Sequence, residues 1–185
     1  MSYHLLALIC LLFCVCRHGV LPMEKGMDEL DGLDRDTQQE VDERKRIKSI
    51  IYRFLTRREY SYFELEQKLT YKGFSKQVFG PLLEQFTQQG LQSDQRFAEA
   101  FCRFRSRKGY GPFKIEAELR LKGVSDKIIG QTLDSVELDW YKTAKEIIER
   151  RFGVDKTLDT TVRSRKWRFL QNRGFTAEQI KAAVE

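Results

Sequence analysis

One local device occurs three times in this chain, and its spacing limits the fold more than any other feature. Lys72-Gly73-Phe74-Ser75 with Phe79, Lys122-Gly123-Val124-Ser125 with Ile129, and Arg173-Gly174-Phe175-Thr176 with Ile180 follow one order. A cation precedes a glycine, then come an apolar residue, a hydroxyl and, one turn later, an apolar partner. Each copy reads as a helix stop followed by a capped helix start with its hydrophobic staple. The offsets are 50 and 51 residues, and a fixed period of this size marks stacked supersecondary units.

Hydrophobic periodicity fills in the rest. A helix is expected over 42–58, with Ile47, Ile50, Ile51, Phe54 and Leu55 inward. Ser61-x-x-Glu64 is a capping box for the second helix, which carries Leu65 and Leu69. The third is expected over 76–89. The second repeat opens at Asp94 as N-cap, with Phe97, Phe101 and Phe104 as one core stripe. Gly111-Pro112 then starts a helix bearing Ile115 and Leu119, since proline at the first helical position loses no hydrogen bond. The third repeat opens at Asp139-Trp140, with Ala144, Ile147, Ile148 and Phe152 apolar. A polar, turn-forming segment from Gly153 to Thr160 leads to a helix over 161–173, and Thr176-x-x-Gln179 caps the last one. Lys166 falls where Leu65 and Ile115 stood, so Trp167 is expected to take over the packing. The fold class is therefore all-α. Three tandem three-helix repeats, 44–92, 93–138 and 139–185, should stack into an elongated, curved body.

Residues 1–43 stand apart. The run Leu5 to Cys16 is apolar, too short for an ordinary transmembrane helix and preceded by no Lys or Arg. It reads either as a start codon called too early, with Met23 or Met27 the natural first residue, or as a signal-peptide core. Residues 24–43 hold nine acidic and two basic side chains and read as a mobile arm, with helix beginning near Val41. Cys102 alone remains in the body, which favours a reducing, cytoplasmic setting.

The net charge of +6 hides a contrast, because 44–185 hold 30 basic and 18 acidic residues. Such a body fits a polyanion or an acidic protein groove, or is a solvated surface. Arg96, Arg103 and Arg107 repeat Arg46, Arg53 and Arg57 at an offset of 50, and Tyr110 repeats Tyr60. The contact candidates are Arg57, Arg105, Arg107, Lys108, Tyr110, Lys114, Arg120 and Lys122, then Arg163, Arg165, Lys166 and Arg168 in the third repeat. Arginine suits bidentate contact with phosphate or carboxylate. Tyr60 and Tyr110 either pack against the next helix or stack on a base.

No catalytic constellation is present in 44–185. The two histidines are His4 and His18, so the commonest general base and the Ser-His and Cys-His pairs are missing there. Cysteine and histidine spacing suits no zinc site, and no phosphate-binding glycine motif occurs. Neither cofactor nor metal is expected.

The stretch Leu91-x-x-Asp94-x-x-Phe97-Ala98-x-x-Phe101, followed by Arg105-Ser106-Arg107-Lys108-Gly109-Tyr110-Gly111-Pro112-x-x-Ile115-x-x-Glu118-Leu119-x-x-Lys122-Gly123-Val124, resembles the RecX family. The resemblance covers roughly 44–185. It implies a non-catalytic regulator of the recombinase RecA, acting in DNA repair, homologous recombination and the SOS response. Such a protein binds the groove of the RecA–DNA filament and restrains its extension, ATP hydrolysis and strand exchange. The resemblance further implies single- and double-stranded DNA as weaker partners; no membrane partner, a monomer and the cytoplasm are also expected. The competing reading is a helix-turn-helix transcription regulator, drawn from Ser61–Gln89, and a membrane-tethered scaffold would need residues 5–16 retained.

Overall fold

The structure is a computed structural model that describes residues 25–153 and 159–185, with side chains of the first helix described from Thr37 onward. Among the described residues every regular element is helical. The helices are α1 (Lys25–Leu55), α2 (Tyr62–Tyr71), α3 (Lys76–Gln88), α4 (Asp94–Arg107), α5 (Pro112–Leu121), α6 (Asp126–Ser135), α7 (Trp140–Phe152), α8 (Thr160–Asn172) and α9 (Ala177–Val184). Two compact units divide between Glu43 and Arg44.

The acidic segment expected as a mobile arm is helical from Lys25, well before the expected helix start near Val41. Its Gln, Glu and Arg residues are good helix formers, and pairs such as Gln38 with Asp42, one turn apart, support it. Net charge and low hydrophobicity pointed to disorder, but neither opposes a local helix. The apolar run 5–16 and most of the segment after Gly153 lie outside the described residues.

Each repeat closes its own core. Ile47, Ile51, Leu65, Leu69, Phe79 and Phe86 form the first, while Phe97, Cys102, Ile115, Leu119 and Ile129 belong to the second. Ala144, Ile148, Leu170, Phe175 and Ile180 belong to the third, and Trp140 packs against both of the last two. The expected staple between Val124 and Ile129 is buried, and Ser125 caps α6. Pro112 stands at the entry of α5 behind Gly111 as N-cap. Thr176 and Gln179 complete a reciprocal capping box on α9.

Three expectations fail locally. Ser61 caps α2, but the Glu64 side chain does not return to close a box; it is taken by Arg58 and Lys122. Ser93, rather than Asp94, is the N-cap of α4. The Asp94 carboxylate instead accepts from the backbone N–H of Tyr62 at 2.8 Å, so it caps a helix of the preceding repeat. Finally, Phe104 is half exposed, and the α4 positions facing the core are Phe97, Ala98 and Cys102.

Polar and backbone contacts join neighbouring repeats, and at both joints the end of one middle helix meets the start of another. The C-terminal turn of α5 meets the N-terminus of α2, where Ser61 Oγ donates to the Lys122 carbonyl at 2.8 Å. The C-terminal turn of α8 meets the N-terminus of α5, where the Gly111 N–H donates to the Arg173 carbonyl at 2.8 Å and the Phe113 N–H to the Gly174 carbonyl at 3.0 Å. The middle helices therefore run head to tail, each negative helix end set on a positive one. The approach demands glycine: a Cβ on Gly111 would lie 2.5 Å from the Gly174 carbonyl oxygen, and one on Gly174 would lie 2.4 Å from the Lys114 backbone nitrogen.

Candidate partner-binding surface

Ion pairs within and between the repeats absorb several of the cations expected to face a partner. Arg105 is ion-paired with Glu118, and its guanidinium lies 3.7 Å from the centroid of the Tyr110 ring. Arg173 approaches the same ring at 5.4 Å and donates to the carbonyls of Lys108 and Gly109 at 3.1 and 3.0 Å. Tyr110 thus packs between two cations, against the second core. Tyr60 is likewise buried, under Arg58 at 3.6 Å.

Lys122 reaches across the first joint to Glu64 at 2.6 Å, and Arg58 holds the other oxygen of that carboxylate at 3.0 Å. Burial pushes the Glu64 carboxyl up, but the hydrogen bonds from Lys122 and Arg58 outweigh it and leave the group below the usual carboxylate range. Arg120 is exposed yet tied to Glu116 on its own helix and to Asp126 at 2.7 Å. Arg96 pairs with Glu59 and Arg103 with Glu99, so part of the repeated arginine stripe is internal ion pairing. Lys166 is buried at the third core, and Trp167 packs partly against that core beside it.

Other candidates do face outward. Arg57, Arg107, Lys108, Lys114, Arg165 and Arg168 are exposed, and among the described residues no carboxylate lies within ion-pair distance of any of them. Arg163 is exposed and sits 3.7 Å from Glu185. With Ser164, Trp167 and Arg168 it lines a shallow depression of about 350 Å³ on α8. Helix α8 has no acidic side chain among its 13 residues.

The feature that sequence reasoning missed is a groove of about 420 Å³ where the first two repeats meet. Phe97, Ala100, Phe101 and Phe104 of α4 floor it, and Arg58, Glu64 and Lys122 stand at its side. A second depression, reaching Lys68, Tyr71 and Lys72, shares Arg58 and Glu64 with it. The stripe assigned to the core was the available signal: α4 carries apolar residues on more faces than one core consumes. Cys102 is fully buried, and burial raises its thiol pKa to about 11, as a core filler's should be. Among the described residues no His/Cys/Asp/Glu cluster could hold a metal ion, and no helix is long and apolar enough to cross a membrane.

Comparison with known proteins agrees with this architecture. Residues 93–133 match the family model for the second three-helix domain of RecX, and residues 137–184 match that for the third. Regulatory protein RecX of Halorhodospira halophila is 42% identical over 138 residues, covering 75% of this chain and 86% of that protein. A crystal structure of a regulatory protein RecX superposes with a TM-score of 0.65 at 20% identity, covering 76% of this chain and 72% of that one. The crystal structure of RecX from Lactobacillus salivarius gives a TM-score of 0.64 at 18% identity, covering 78% and 96%. At those identities the structures speak for the all-α repeat fold, and the curated relative speaks for descent. The chain belongs to the RecX family of regulatory proteins.

Proposed function

We propose that this protein regulates the recombinase RecA by binding the RecA–DNA filament and restraining its extension, ATP hydrolysis and strand exchange. The observation that carries the reading is the 42% identity to a regulatory protein RecX across 86% of that protein's length. The surface chemistry is compatible with it, since a filament of protein and DNA offers both carboxylates and phosphates. Arg107, Lys108 and Lys114 in the second repeat, and Arg163, Arg165 and Arg168 in the third, are the outward cations for that role. Action is by contact, as a monomer in the cytoplasm, with no cofactor and no membrane partner.

The transcription-regulator reading is weaker on a specific observation. The helix that would enter the major groove, α3, has one cation, Lys76, and that group is ion-paired with Glu66. The deciding experiment is RecA ATPase on single-stranded DNA with and without the protein. Dose-dependent inhibition at sub-stoichiometric or stoichiometric ratios is expected. Unchanged hydrolysis and strand exchange with saturating protein would overturn the proposal, and a sequence-specific operator footprint would favour the alternative.

A further inference from the structure

We infer that the outward face of α8 is a binding site for single-stranded nucleic acid, in which Arg163 and Arg168 hold backbone phosphates and Trp167 takes a base. The three middle helices, α2, α5 and α8, share one register, set by the Lys72, Lys122 and Arg173 copies of the repeated stop. In that register Trp167 stands where α2 has Glu66 and α5 has Glu116, and Arg168 stands where they have Gln67 and Ala117. The two glutamates are consumed inside the protein, Glu66 by Lys76 and Glu116 by Arg120. Helix α8 instead carries three exposed arginines, Arg163, Arg165 and Arg168, and no acidic side chain. The same helix is built twice in this chain without that charge, so the repeat fold does not require it.

The geometry brings these side chains to one place. Arg163, Ser164, Trp167 and Arg168 line a single depression of about 350 Å³. Trp167 lies one turn on from Arg163 and next to Arg168, and its indole is only partly buried, shared between the third core and the depression. Among the described residues no carboxylate lies within ion-pair distance of Arg165 or Arg168. Glu185 approaches Arg163 at 3.7 Å and is shared with Lys181 at 3.9 Å. Arginine forks suit phosphate oxygens, and the ring decides between polyanions. An acidic protein surface would use the cations alone, and a duplex keeps its base faces stacked away from a side chain. A single strand offers phosphates and open base faces together.

This ligand deepens the regulatory reading and rests on it for its setting, but the assay contains no recombinase, so either can fail alone. Fluorescein-labelled oligo-dT of about 15 nucleotides is titrated with the full chain by anisotropy across about 50–200 mM salt. Saturable binding is expected. Unlabelled oligo-dT should quench tryptophan emission in the parent and in Trp140→Phe but not in Trp167→Phe, which keeps a ring and most of the affinity. Arg163→Gln/Arg168→Gln should weaken binding at least about tenfold and flatten the log affinity–log salt slope by about 1.4, at about 0.7 per phosphate contact, with the melting temperature unchanged. Arg53→Gln/Lys127→Gln, an equal loss of charge at exposed positions of the first two repeats, should shift affinity by less than about threefold. An abasic strand of the same length, with the same phosphates and no bases, should bind at least about fivefold more weakly. No saturable binding, equal losses in the two double variants, equal binding of the abasic strand, or quenching retained in Trp167→Phe would each overturn the inference. Polyglutamate that displaces oligo-dT at equal charge concentration would assign the face to an acidic protein instead.

Discussion

The guanidinium of Arg105 lies 3.7 Å from the centroid of the Tyr110 ring and is at the same time the ion-pair partner of Glu118. A residue that looks, by position, like a free cation at the basic end of a helix is therefore a bolt between α4, the following turn and α5. Arg105→Glu would set a carboxylate against Glu118 and uncover the ring, at a cost of about 2 kcal/mol for a partly buried pair. Arg107→Glu and Lys108→Glu, both exposed, should each stay within about 0.5 kcal/mol. Thermal unfolding of the three single variants checks this ordering. A loss of the proposed RecA inhibition in Arg105→Glu would be explained by folding alone, so contact must be tested at Arg107 and Lys108.

The repeated glycines can be ranked. Gly73 and Gly174 occupy the same register and share a left-handed φ, 85° and 83°. Yet a Cβ at Gly73 would meet nothing within 4 Å, whereas one at Gly174 would overlap the Lys114 backbone. Gly73→Ala should cost about 1 kcal/mol from backbone strain alone. Gly174→Ala adds a backbone overlap that no rotamer relieves and should exceed it by about 1–3 kcal/mol. Chemical denaturation of both variants makes the comparison, and equal losses would refute the second joint as drawn.

Ser61 is fully buried and has two tasks, accepting from the Glu64 N–H at 3.1 Å and donating to the Lys122 carbonyl at 2.8 Å. Ser61→Ala removes a helix cap and leaves a joint carbonyl without its donor, a loss of about 1–2 kcal/mol. Because the damage lies at the joint, amide exchange should quicken at both the start of α2 and the end of α5.

Glu64 predicts a pH dependence. Its folded-state pKa is lowered from the ordinary 4.5, so the unfolded chain takes up the proton first as pH falls. The stability it contributes is present above the unfolded value and is lost as pH drops through the folded one. Glu64→Gln should be less stable than the parent near neutrality, and the gap should narrow below about pH 4.5 as the parent loses its ion pairs. Melting temperatures of both proteins across pH 3–7 provide the measurement, and a gap that stays constant over that range would contradict the assigned role.

The sequence by itself determined the units of this protein. Glycine stops, hydroxyl caps and staples are local: Ser125 with Val124 and Ile129 needs only a few consecutive residues to act, so its outcome in the fold was readable from their order. Helical period likewise placed Ile115 and Leu119 inside. What the tertiary structure decided is where one repeat meets the next. Asp94 has the composition of an N-cap and serves as one for a helix 32 residues away, because a carboxylate accepts from whichever orphan N–H packing brings to it. Phe104 has the spacing of a core residue and floors a groove, because α4 is apolar on two sides and periodicity does not say which side faces its own repeat. Arg105 and Lys122 have the look of free cations and are tied to Glu118 and Glu64, since a charge finds its partner through space rather than along the chain.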